Sequence, residues 1–142
     1  MVGRPKTLNK NHALATALEG YWREGIYGMS VNEVCRRASI SKPGLYREFG
    51  SEDGLMTAVL ELYDQTVLCI LRDLLRSNLG FETSMQTFTT RFFGQTDHPP
   101  GCLLAELRIA YADLGESTQA KVRSTVMEHR GMIRLWLQYC QE

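Results

Sequence analysis

The chain has 142 residues, 44% of them hydrophobic and 23% charged, and a formal net charge of zero. That length fits one domain, or a small domain plus a second layer, and that composition excludes a disordered chain. The zero hides a split: residues 1–50 hold eight Lys and Arg against four Asp and Glu, a net +4, whereas residues 51–142 hold eight against twelve, a net −4, so an anionic partner is expected for the first part only.

Residues 1–10 read as a basic, loose arm carrying Arg4, Lys6 and Lys10. They contain no apolar stretch of the kind a secretory signal needs. A first helix follows over 11–25, with Leu14, Ala17, Leu18, Tyr21 and Trp22 at spacings of three and four on one face. Ser30 opens a second helix. Ser-Val-Asn-Glu fits a capping box, in which two orphan backbone donors are satisfied reciprocally, and Val31, Val34, Cys35 and Ala38 form the apolar face. A tight turn through Ser39 and Ile40 leads to Ser41, the N-cap of a third helix over 42–49. Pro43 falls in its first turn, where a missing amide hydrogen costs little.

Ser51 caps a long helix over 52–77, with apolar positions from Leu55 to Leu74 at a sustained helical period. Even so, no apolar run approaches the roughly 18 residues a membrane span needs, and no membrane partner is expected. Helices over 82–93, 102–114 and 117–139 complete the chain. GQTDHPPG separates the first two of these, since no helix crosses two prolines. The fold class is therefore all-α, divided into residues 1–50 and residues 51–142.

Two short helices joined by a tight turn, the second of them basic, make a helix-turn-helix. The second helix of such a pair lies in the major groove of DNA while the first braces it. Small residues at Pro43 and Gly44 leave room for a close approach, Lys42 points its charge at bases or phosphate, and Tyr46 offers a hydroxyl to a phosphate. Leu45 and Phe49 face the core and fix the helix angle. The helix starts at Ser30 and Ser51 present amide groups to phosphates.

Cys35, Cys69, Cys102 and Cys140 are scattered, with no Cys-x-x-Cys and no histidine at metal spacing. They read as reduced, mostly buried thiols, and neither a metal nor a cofactor is expected. Cys102, beside the proline linker, is the one candidate for an exposed thiol. His12, His98 and His129 are far apart, and no nucleophile-base, paired-carboxylate or phosphate-loop pattern appears, so enzyme activity is not expected.

The stretch GMSVNEVCRRASISKPGLYREFGSEDGLMTAVLELY, residues 28–63, resembles the DNA-binding signature of the tetracycline-repressor (TetR) family of bacterial transcriptional regulators. Val34, Ala38, Ile40, Ser41, Leu45, Tyr46, Phe49 and Leu55 carry the match in register. GCLLAELRIAYADLG, residues 101–115, resembles more loosely a segment of the family's ligand domain. The resemblance implies a cytoplasmic repressor: a three-helix DNA-binding domain followed by a helical ligand-sensing and dimerising domain. It implies a homodimer on a palindromic operator, released by a small-molecule effector. By position, Lys42, Pro43 and Gly44 face bases, Tyr46, Ser30 and Ser41 hold phosphates, and Arg36 or Arg37 adds a phosphate contact.

Three departures stand out. Ser39 occupies a position where the family has a turn glycine, which costs a residue with positive φ about 1 kcal/mol. Glu52 stands where the family often has lysine, which removes a phosphate contact and favours an alternative: a ligand-binding or protein-interaction module that keeps the helix-turn-helix shape without useful DNA binding. The family's chains are usually longer, and Ile133, Leu135, Trp136, Leu137 and Tyr139 are too apolar for a solvated end, so a partner chain or further sequence is expected to cover them. An apolar effector pocket is expected among Tyr63, Phe88, Phe92, Leu104, Tyr111 and Trp136.

Overall fold

The computed structural model describes residues 6–94 and 97–141, with side chains from residue 9 onward. The regular elements of the described residues are all helices, without strands: α1 (Lys6–Glu24), α2 (Val31–Ala38), α3 (Lys42–Phe49), α4 (Glu52–Tyr63), α5 (Cys69–Arg76), α6 (Phe81–Phe93), α7 (Leu103–Ile109) and α8 (Glu116–Tyr139). Helix α1 begins earlier than its apolar period indicates. Residues 6–10 are helical rather than a loose arm, while Arg4 and the Lys6 side chain lie outside what is described.

One core runs through the molecule. Ala13, Ala17 and Tyr21 repeat every four residues along α1 and are buried. They meet Val31, Val34 and Ala38 of α2, Leu45 of α3, and Leu55, Val59 and Leu60 of α4. The same cluster continues into Leu103 and Leu107 of α7 and Val122 of α8. Helix α4 is the spine, packing on α1, α3, α7 and α8. Burying each of these valine and leucine side chains is worth roughly 1.5–3 kcal/mol.

The long helix is continuous from residue 52 to residue 76, but a π-helical turn, Asp64–Leu68, interrupts its ladder. The Asp64 carbonyl accepts the Cys69 N–H across this turn and also Arg72 Nη2 at 3.1 Å. Contrary to the expectation from sequence, Glu52–Arg76 is long and apolar enough by composition to cross a membrane, with a mean hydropathy of 1.4 over an 18-residue window. Its apolar residues Leu55, Val59, Leu60 and Tyr63 are spent on the core against α1 and α8.

The Pro-Pro-Gly segment is pinned to α1. Trp22 donates Nε1 to the Gly101 carbonyl at 3.1 Å and stacks on His98 at 5.5 Å, and its ring meets that of Tyr63 edge to face at 5.0 Å. The helix expected over 102–114 ends at Ile109, and a 3₁₀ turn, Tyr111–Asp113, carries the chain to α8. Of the apolar residues near the end of α8, Trp136 is buried against Phe81 at 5.5 Å, while Ile133, Leu135, Leu137 and Tyr139 are exposed. The four cysteines are free thiols. Only Cys35 is buried, and Cys69, Cys102 and Cys140 are half-buried, so the expectation of mostly buried thiols fails.

Candidate nucleic-acid interface

Three successive helices start on a serine, and each serine closes its own helix. The hydroxyl oxygens of Ser30, Ser41 and Ser51 accept the main-chain N–H of Glu33 (3.2 Å), Gly44 (3.1 Å) and Gly54 (3.0 Å). Each such cap satisfies an orphan donor and is worth about 1 kcal/mol. The capping box expected at Ser30 is only half formed, because the Glu33 carboxylate turns to Arg36 and Arg37. Those two guanidinium groups hold the Glu33 carboxyl down at about 2.

Ser39 bends the chain between α2 and α3. Its φ is 54°, the one positive φ at a non-glycine residue among those described. Ser39 N–H donates to Arg36 O at 3.4 Å and Ile40 N–H to Cys35 O at 3.1 Å. This is the paired-bond helix ending that normally selects glycine, and it bears out the strain expected at Ser39. The turn sets α3 against α2, with Leu45 fully buried and Phe49 packed on the core.

Opposite Leu45, α3 presents a polar ridge. Ser41, Lys42, Pro43 and Arg47 are exposed, and Tyr46 is half-buried. Lys42 Nζ lies 5.9 Å from the centre of the Tyr46 ring. From α1, Lys10 Nζ lies 5.5 Å from the centre of the Phe49 ring, adding a cation beside the end of α3. Arg47 is not among the contacts expected from the sequence. Its spacing of four from Pro43, parallel to that of Tyr46 from Lys42, is the signal that places it on this ridge.

One expected contact is placed differently by the structure. Gly44 is buried rather than turned outward. A Cβ there would lie 2.9 Å from Ser41 Oγ and 3.3 Å from Ile40 Cγ1, so the small residue protects the cap and the turn. Arg37 pairs with Glu24 and Glu33, with about a third of its side chain still exposed. Arg36 shares Glu33 but keeps 71% of its side chain exposed. Ser30 is exposed at the start of α2, and Glu52 is exposed at the start of α4.

The six residues expected to line an effector pocket do not come together. Leu104 lies in a cleft of about 470 Å³ between α7 and α8, Tyr111 in one of about 500 Å³, and Trp136 in one of about 330 Å³ beside α5. Tyr63 is core, and Phe88 and Phe92 pack on each other at 4.5 Å. Burial and the Cys102 thiol, which accepts the Tyr63 hydroxyl at 3.4 Å, push the Tyr63 phenol pKa upward. Among the described residues, no group of three or more His, Cys, Asp or Glu is placed to hold a metal ion.

Residues 13–59 match the family of bacterial regulatory proteins described as tetR family. Over 107 residues the chain is 36% identical to the HTH-type transcriptional repressor BdcR of Escherichia coli, covering 73% of this chain and 54% of that protein. Over 106 residues it is 27% identical to the HTH-type transcriptional repressor ComR of the same organism, covering 72% of this chain and 50% of the relative. The chain thus spans about half the length of these relatives. A TetR-family transcriptional regulator from Agrobacterium tumefaciens superimposes with a TM-score of 0.83 at 16% identity, over 96% of this chain and 73% of that one, which shows a shared fold.

Proposed function

We propose that this chain, which belongs to the tetR family of bacterial regulatory proteins, is a cytoplasmic DNA-binding transcriptional repressor. It lays α3 in the major groove of a palindromic operator as a homodimer, and a small molecule bound among the helices after Ser51 releases it. The observation that carries this reading is the ridge of exposed Ser41, Lys42, Pro43 and Arg47 and half-buried Tyr46 on a short helix whose opposite side is locked by Leu45. A basic helix so presented fits the groove, and two-fold symmetry with half-sites about 34 Å apart belongs to dimers of this kind.

In this reading residues 1–50 read DNA and residues 51–142 sense and dimerise. Lys42 and Pro43 meet base edges, while Tyr46, Arg47, Arg36 and the serine-capped helix starts hold phosphates. Phosphate contacts set position and base contacts set sequence. The alternative module without DNA binding draws on Glu52 and on the net charge of zero.

The test is a selection from a random double-stranded DNA pool, followed by affinity of the winner across salt concentrations. Enrichment of a palindrome, with log affinity falling linearly against log salt, is the expected result. No enrichment at low salt would reject DNA reading in favour of the alternative module.

A further inference from the structure

Helix α8 does not cap itself. It starts after Gly115, which has no side chain to offer, and its first N–H groups are taken by a carboxylate from another helix. Asp53, in the first turn of α4, accepts Ser117 N–H on Oδ2 and Thr118 N–H on Oδ1, both at 2.9 Å, and the Thr118 hydroxyl on Oδ1 at 2.6 Å. A Cβ on Gly115 would overlap the Asp53 carboxylate, so the close approach itself requires glycine. Thr118 is 1% exposed, and its hydroxyl also lies 3.1 Å from Thr57 Oγ1. Burial pushes the Asp53 carboxyl up, but the hydrogen bonds from Thr118 and Ser117 outweigh it and leave it below the usual carboxylate range. A charged cap at a helix N-terminus is further favoured by the helix dipole.

The other neighbour of this first turn is α3. Only Gly50 and Ser51 separate Phe49, the last residue of α3, from Glu52, and Gly50 N–H donates to Tyr46 O at 2.7 Å. The first turn of α4 is therefore tied to the end of α3 by the chain and to the start of α8 by the Asp53 carboxylate. A second tie runs parallel to it, where the Tyr27 hydroxyl of the α1–α2 turn bonds Asp113 just before α8.

We propose that Asp53 is a positioning residue for DNA reading: its cap on α8 fixes the first turn of α4 and, through it, the angle at which α3 is presented. This rests on the DNA-binding reading above.

Charge and positioning predict opposite signs. If Asp53 acts only as a negative charge near DNA, Asp53→Ala tightens binding, as Glu52→Gln should, and Thr118→Val changes nothing. If the cap positions α3, both Asp53→Ala and the charge-neutral Thr118→Val weaken binding to the selected duplex about tenfold. The combined variant is then no worse than either single one, because the residues act as a unit. Amide hydrogen exchange on the free protein gives a second readout that needs no DNA. Faster exchange at residues 42–49 in both variants, with the α1 core amides unchanged, is expected. Faster exchange confined to the start of α8, or tighter binding by Asp53→Ala, overturns the proposal. A wild-type protein that binds no duplex but shows the exchange coupling defeats the DNA-binding reading and leaves the mechanical link standing.

Discussion

Arg37 on α2 and Glu24 at the end of α1 are joined through both Nη atoms of the guanidinium, with Nη2 at 3.1 Å from Oε2. The same guanidinium donates Nε to Glu33 at 2.6 Å. The hydrogen bond from Arg37 holds the Glu24 carboxyl below its ordinary value. One cation thus stitches the bracing helix to the helix before it, across a corner where the chain makes its first reversal. Arg37→Ala should give a small loss of melting temperature, since both partners are well exposed and such pairs are worth little singly. The loss should shrink at high salt, where the Debye length falls to about 3 Å. Thermal melts of Arg37→Ala, Glu24→Ala and the double variant at low and high salt check this. Additive losses would mean that the pair does not act as one.

Glu33 makes the acid dependence of this corner specific. Its folded value of about 2 lies below the ordinary 4.5, held there by hydrogen bonds from Arg36 and Arg37. A depressed carboxyl contributes stability that is fully present above the unfolded value and is lost as pH falls through the folded one. The contribution should therefore be constant above about 4.5 and disappear as the pH falls toward 2. A carboxyl chemical-shift titration of Glu33 gives the value directly. An ordinary midpoint would show that the two arginines do not hold it in solution.

Ser39 stores strain in the turn itself. With φ at 54° it occupies the left-handed region, where a side chain costs roughly 1 kcal/mol and glycine costs nothing. Ser39→Gly should raise stability by up to about 1 kcal/mol, reduced by the greater freedom glycine gives the unfolded chain. For a chain of this size that is a rise of roughly 2–4 °C in melting temperature. Denaturant unfolding measures it, and a net loss would mean that the serine contributes more than its backbone strain costs.

The helix-turn-helix was legible because its signals are local. A serine three residues before the amide it caps, a proline in the first turn, and Leu45 four residues before Phe49 each act within one turn of helix. What required the structure is set by crossings between helices. That Arg37 faces Glu24, or that Asp53 faces Thr118, depends on angles that no periodicity encodes. Gly44 shows the limit at a single residue: small size predicts close approach, but not whether DNA or the Ser41 cap makes that approach. The aromatic residues suggested a pocket because composition carries no direction, and the fold sends Tyr63 into the core and Trp136 against Phe81.

Gly44 also sets two forces against each other. Inside a helix, alanine is favoured over glycine by nearly 1 kcal/mol. Here the added methyl would press on Ser41 Oγ and Ile40 Cγ1, the two groups that start α3 and close its turn. Losing the Ser41 cap costs about 1 kcal/mol, and displacing Ile40 from the core adds to it. Gly44→Ala should therefore destabilise the chain, against its helix propensity. It should also weaken DNA binding through the displaced ridge. Ser41→Ala removes the cap without adding the methyl and separates the two contributions. Equilibrium unfolding of both variants decides the matter: a stabilised Gly44→Ala would mean that the Ser41 side chain yields at little cost and that propensity wins.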